Sequence, residues 1–214
     1  DTKKGEIYAF RDRAGVKPFF YYWHEGLFLF GSELKVLMQH PAFKKTISLD
    51  SLASYMNYGY VPTPNCIFEH TNKLKPGHFI KISLQNQQID IIKYWNVLNY
   101  YQLPKLKIDY EEAISETEKI LKKAFQYRMV ADVPVGVFLS GGYDSSCVAA
   151  MLQANSPQKI KTFTIGVGDA NLNEAPFAKQ ISNYIGTEHQ ELYCTEKEAL
   201  DIIPQLPHFF DEPF

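Results

Sequence analysis

The chain has 214 residues, 45% hydrophobic and 21% charged, and its 22 basic and 24 acidic side chains leave a formal net charge of -2. This is globular composition, with none of the low hydrophobicity and high net charge of a disordered segment. The balance of charge and the lack of a polybasic run argue against nucleic-acid or membrane-surface binding, and no apolar stretch is long enough to cross a bilayer.

The length accommodates one large domain or two small ones. Cys66, Cys147 and Cys194 are odd in number and far apart, with no CxxC or Cys/His spacing, which reads as a reducing, cytoplasmic setting. All three are expected to be small buried side chains. The chain opens DTKKGEIYAF without Met or a signal peptide and stops at DEPF straight after a helical segment, which reads as a piece of something longer.

The first half is strand-rich. IYAF, FFYYW (Phe19 to Trp23) and LFLF (Leu27 to Phe30) are aromatic runs separated by the turn-forming RDRAGVKP and HEG. Apolar residues on both alternating faces suggest strands covered on both sides rather than a surface hairpin. SELKVLM and SLDSLASYMN read as helices, the second with Ser48 or Asp50 as N-cap. FIKISL and QIDIIKYW resume the strand pattern after a KPG turn.

Residues 96–108 form a candidate linker between a domain at 1–95 and one at 109–214. A long helix then starts at Asp109, with Glu112 completing a capping-box spacing and Ala113, Thr117, Ile120, Ala124 and Tyr127 as its apolar stripe, widened by Leu121 and Phe125. Next come VGVFL (strand), CVAAMLQA (helix), KIKTFTIGV (strand), EAPFAKQISNYIG (helix), QELYC (strand) and a final helical stretch. That alternation predicts an α/β unit with a parallel sheet, after an α+β first half.

Between the first strand and helix of that unit lies SGGYDSS, where parallel α/β sheets bind ligands. Free N–H groups and the positive dipole end favour a phosphate, and Gly141 and Gly142 allow close backbone approach and turn geometry that a side chain would forbid. Ser140, Ser145 and Ser146 can donate hydrogen bonds to phosphate oxygens. Asp144 would repel a bare phosphate, so its presence points to Mg²⁺. The GxxxxGK[ST] pattern is absent. A turn with ordinary helix caps is the competing reading, and the full SGGxDSS spacing favours the nucleotide site.

SGGYDSS resembles the pyrophosphate-binding loop of the ATP pyrophosphatases. VPVGVFLSGGYDSS, TFTIGV and IGTEHQE together look like the synthetase domain of glutamine-hydrolysing asparagine synthetases, with DEPF (Asp211 to Phe214) similar to their next segment. RDRAGVKPFFYY and FGSELKVL resemble the second half of that family's glutaminase domain. The resemblance implies the C-terminal part of an Ntn-type class II amidotransferase αββα sandwich, followed by a parallel-sheet ATP pyrophosphatase (PP-loop) domain.

Carried over by residue, the resemblance implies ATP and pyrophosphate binding by Leu139, Ser140, Gly141, Gly142, Asp144, Ser145, Ser146 and Ile165, with Asp144 on Mg²⁺. Asp12 matches an aspartate that binds the α-amino group of substrate glutamine. The N-terminal cysteine nucleophile is missing, as is the second, SGDGxDE-like nucleotide motif, so no catalytic residue is assigned and this polypeptide alone is expected to be inactive. Arg128, His189, Asp211 and Glu212 are left between structural and site roles.

The implied reaction is ATP-dependent amide formation on aspartate, with glutamine hydrolysis supplying ammonia. The implied partners are glutamine, aspartate and ATP, with no nucleic acid and no membrane, and the resemblance allows a homodimer. Two alternatives stand beside it: a β-lactam-synthetase-like or other amidotransferase acting on a different carboxylate, and a nucleotide-binding module without chemistry.

Overall fold

A computed structural model describes residues 1–213, and the chain divides into two compact units. Phe214, quoted above in DEPF, lies outside the described residues. The first unit is residues 1–104 with 204–213, and the second is 105–203. The chain therefore leaves the first unit at Pro104 and returns to it at Pro204, so packing places the tail with the first unit rather than with 109–203.

The first unit contains β1 (Glu6–Phe10), β2 (Phe20–His24), β3 (Leu27–Gly31), α1 (Leu34–Leu37), α2 (Leu49–Tyr58), β4 (Thr71–Lys73), β5 (His78–Ser83), β6 (Ile89–Lys93) and α3 (Leu98–Tyr101). Two antiparallel sheets form, ordered β1–β5–β6 and β3–β2–β4. Glu25 and Gly26, both at positive φ, make the tight turn between β2 and β3, the backbone that right-handed strand twist favours in two-residue hairpins.

Successive side chains of a strand point to opposite faces, so Tyr21 and Tyr22 serve different cores. Tyr22 packs with Leu34, Leu37, Phe43, Val61 and Cys66, whereas Tyr21 joins Leu74, just after β4, and Ala9, Ile80 and Ile82 from the other sheet. The β2–β3 pair is thus covered on both faces and is also a hairpin; the sequence reading set these up as alternatives. β1 departs from the expectation of double cover. Tyr8 and Phe10 are exposed on the outer face, Phe10 stacking on Phe79 at 4.8 Å. Ser48 is the cap of α2, accepting from Ser51 N.

The second unit contains α4 (Tyr110–Arg128), β7 (Gly136–Phe138), α5 (Tyr143–Ala154), β8 (Lys161–Val167), α6 (Ala175–Ile185), β9 (Glu188–Cys194) and α7 (Glu196–Ile202). β7, β8 and β9 are parallel and adjacent in that order. Leu139, Ala149, Leu152, Ile160 and Ala178 form the core, with Phe125 and Met129 of α4 and the turn after it packed against them. The opposite sheet face is open: Phe138 is 77% and Ile165 57% exposed. A short helix, α8 (Leu206–Phe209), follows in the part of the tail that belongs to the first unit.

Two expectations need correction. The half-buried seam of α4 runs through Ala113, Leu121 and Phe125, with Met129 just beyond the helix; the predicted stripe holds at Ala113 and at the two residues that widened it, while Ile120 and Tyr127 are 66% and 67% exposed. Asp109 does cap the helix, accepting from Glu112 N at 2.8 Å. Phe125→Ala should therefore destabilise this unit by about 2 kcal/mol, and Ile120→Ala by less than about 0.5 kcal/mol, in denaturant melts followed by α5 amide exchange. The reverse order would restore the predicted stripe. Of the cysteines only Cys66 is buried, and burial pushes its thiol up to about 12; Cys147 is exposed and Cys194 half-buried.

Candidate functional site

The loop between β7 and α5 is organised by its own hydroxyls. Ser140 Oγ lies 3.0 Å from Ser145 Oγ, and the Ser140 N–H donates to Ser145 Oγ at 3.2 Å. The Ser146 hydroxyl donates to Gly142 O at 2.7 Å. Gly141 sits at φ +88, and a Cβ there would stand 2.8 Å from Phe177 Cβ of α6. Only glycine fits that position.

Gly142 differs. Its φ of -74 is open to any residue, and a Cβ would meet only Ser140 Oγ at an ordinary 3.5 Å. Nothing inside the fold requires a glycine there, contrary to the expectation of a forbidden conformation at both positions. Gly142 is also the N-cap of α5, and no side chain caps that helix. Its first-turn N–H groups are left without an intrahelical acceptor. Asp144 stands in this turn, exposed, and its side chain makes no hydrogen bond or ion pair among the described residues.

Leu139 is fully buried. Its N–H donates to Phe163 O at 2.9 Å, and its carbonyl accepts from the Thr164 hydroxyl. It therefore anchors the strand end under the loop. Ile165 lies on the open sheet face with Phe138, paired in register with Leu192. Arg128, in the last turn of α4, is exposed and its side chain has no ion pair or hydrogen bond among the described residues. His189 faces the sheet interior, its Nδ1 2.9 Å from Thr162 Oγ1, and its buried Nε2 has no partner among the described residues.

In the first unit Asp12 is fully engaged by its own loop. Oδ1 accepts from Ala14 N and Val16 N, and Oδ2 from Lys17 N at 3.0 Å. Those donors, Lys17 and Val16 foremost, hold the carboxyl below the usual range. Because the folded value is lowered, the stabilisation is present above the unfolded carboxyl's range and is lost as pH falls through the folded value. Amide exchange at Val16 and Lys17 should accelerate over that acid interval, and Asp12→Asn should show fast exchange already at neutral pH.

Residues 116–214 match the asparagine synthase family, and residues 1–95 match the glutamine amidotransferase domain. A Methanocaldococcus jannaschii protein, provisionally named asparagine synthetase [glutamine-hydrolyzing] 2, is 36% identical over 100% of this chain and 41% of its own length. The chain belongs to the asparagine synthetase family. The Bacillus subtilis asparagine synthetase [glutamine-hydrolyzing] 3 is 29% identical over 100% of this chain and 36% of its own length. An amidase of Penicillium rubens, chyE, is 27% identical over 94% of the chain and 31% of its own length. The chain thus spans about two fifths of the length of the first of these relatives.

Within this member of the asparagine synthetase family, Asp211 and Glu212 have a structural task that local sequence does not announce. Asp211 accepts from Leu34 N at 2.7 Å and so caps α1, whose own N-cap Glu33 makes no capping bond. Glu212 accepts from Ile67 N at 2.7 Å and pairs with Lys73. Both carboxylates belong to the tail that packs with the first unit.

Among the described residues no cluster of His, Cys, Asp and Glu could hold a metal ion alone, and no helix is long and apolar enough to cross a membrane.

Proposed function

We propose that the 105–203 unit grips the triphosphate of MgATP and that the protein catalyses ATP-dependent amide formation. The observation that carries this is the uncapped N-terminus of α5, flanked by a glycine the fold does not need and a carboxylate without a protein partner. The bare Gly142 admits close approach of phosphate, the first-turn N–H groups donate to it, and Ser140, Ser145 and Ser146 supply hydroxyls at the rim. Asp144 would hold Mg²⁺ on the pyrophosphate oxygens, and the bound ion would neutralise charge on the leaving group. Leu139 fixes the strand end, and Ile165 offers an apolar surface beside it for the adenosine portion.

The implied chemistry follows the family. A carboxylate oxygen of aspartate bonds to the α-phosphorus while the bond to pyrophosphate breaks, giving β-aspartyl-AMP. Ammonia from glutamine then attacks the acyl carbon, and AMP leaves. The residues in hand would orient the triphosphate and offset charge in the first step. The first unit would belong to a class II amidotransferase sandwich. Asp12, fully occupied within its own loop, would shape the wall near the glutamine amine rather than give up those bonds for it. The test is pyrophosphate release by a polypeptide spanning the relatives' full length. Release dependent on aspartate and MgATP is expected; none with any carboxylic acid would overturn the reading.

A second reading has one observation behind it, the similarity to the Penicillium rubens amidase over 94% of the chain. It keeps the adenylation step and changes the carboxylate. Release of pyrophosphate with another acid but not with aspartate would select it.

A further inference from the structure

Loop 12–17, the Lys75–Gly77 turn and the end of β6 border an open cavity of ≈ 560 Å³ in the first unit. Arg13, Lys75 and Lys93 line it together with His78 and Trp95, and no carboxylate does. None of the three cationic side chains forms an ion pair or hydrogen bond among the described residues. In a chain of net charge -2, gathering three unpaired cations around one concavity opposes their mutual repulsion and focuses a positive potential there. His78 Nδ1 donates to Pro76 O at 2.8 Å, which leaves Nε2 available.

The walls are tied together through the backbone. Gly77 N donates to Asp12 O at 3.0 Å, while Gly77 O accepts from Tyr94 N at 2.9 Å and Trp95 N at 3.1 Å. The Tyr94 hydroxyl donates to Arg11 O at 2.7 Å. Gly77 lies at φ +67, and a Cβ would stand 2.5 Å from Trp95 O, so a larger residue would force the turn and the strand end apart. A concavity whose backbone is fixed in this way limits the ordering cost of binding to the side chains of its cations. Its volume lies in the range that holds a small molecule.

We propose that this cavity binds a phosphate-bearing small anion, a class whose two or more negative charges match the three cations. Lys75 and Lys93 contribute point charges, Arg13 a planar fork for paired oxygens, and Trp95 an aromatic wall. The assignment is independent of the nucleotide loop and survives its failure.

The chain contains two tryptophans, so Trp23→Phe leaves Trp95 as the sole indole reporter. In that background, inorganic pyrophosphate and AMP are titrated without Mg²⁺ while Trp95 fluorescence is followed. A saturable change is expected for either probe. Tighter binding of AMP would identify a nucleotide as the source, and equal binding a bare phosphate group. Joint replacement of Arg13, Lys75 and Lys93 by alanine should weaken it about tenfold or more. Replacing Lys122, Lys159 and Lys197, which removes the same charge elsewhere, should not. Asp144→Ala should leave the signal intact, separating this cavity from the nucleotide loop. All three lining cations are exposed, so circular dichroism of the triple variant should match the parent. A linear response, equal loss in both triple variants, or citrate binding as tightly as pyrophosphate would overturn the proposal.

Discussion

Asp144→Ala is expected to lower MgATP affinity by about 10²-fold or more while leaving the unfolding midpoint unchanged, read by calorimetric titration and thermal melting. The two halves of that expectation come from one fact. Asp144 is exposed and its side chain makes no hydrogen bond or ion pair among the described residues, so removing it leaves no orphaned donor and opens no buried cavity. If its carboxylate has a task, the task is toward something that binds. Gly141→Val should fail differently. At φ +88, with Phe177 Cβ 2.8 Å from any added Cβ, a β-branched residue strains the loop and pushes on α6, so binding and stability fall together. Gly142→Ala completes the set: the fold tolerates it, and MgATP should bind less well because the new methyl group sits where phosphate would approach. Unchanged affinity in both Asp144→Ala and Gly142→Ala would reduce the loop to a helix cap and remove the ligase reading.

The loop was legible because its signals are local. An apolar strand, a glycine pair and a helix start lie within a dozen or so consecutive residues, and each reports through short-range backbone physics. The aromatic strands of the first half were legible for a similar reason. Harder was β4, where Thr-Asn-Lys carries no apolar alternation and becomes a strand only because β2 offers a free edge beside it. The α4 stripe was drawn too wide because apolar side chains cover more than one face of that helix. Periodicity alone does not choose between Ile120 and Leu121; the core holding Phe125 and Met129 does. The two roles of the glycine pair also separated only in three dimensions, since Gly141 is held by α6, far along the chain, and Gly142 by nothing. Arg13, Lys75 and Lys93 could not be grouped from sequence at all, because two turns and a strand end from separate segments bring them to one cavity.

The tail shows the same limit at its largest separation, and it carries the second large effect. Glu212→Ala should destabilise the first unit by about 3 kcal/mol, with Asp211→Ala costing about 1 kcal/mol. Glu212 and Lys73 are 11% and 16% exposed at their side chains, so deleting the carboxylate strands a largely desolvated ammonium. Lys73 would keep one bond, to Val61 O at 2.7 Å, and Ile67 N would lose its acceptor. Asp211 caps a helix of only one turn, which limits its share, although Lys35 reinforces the contact through His208 O and Phe209 O. Hydrogen exchange should localise the loss. Amides of β2, β4 and residues 206–213 should lose protection in Glu212→Ala, whereas those of α5 and β8 should keep theirs. Lys73→Met paired with Glu212→Leu should recover part of the stability, since two apolar groups of similar bulk need no desolvation. If Glu212→Ala instead opened the second unit first, or left β4 exchange untouched, the tail would be a passive extension and its carboxylates would require another explanation.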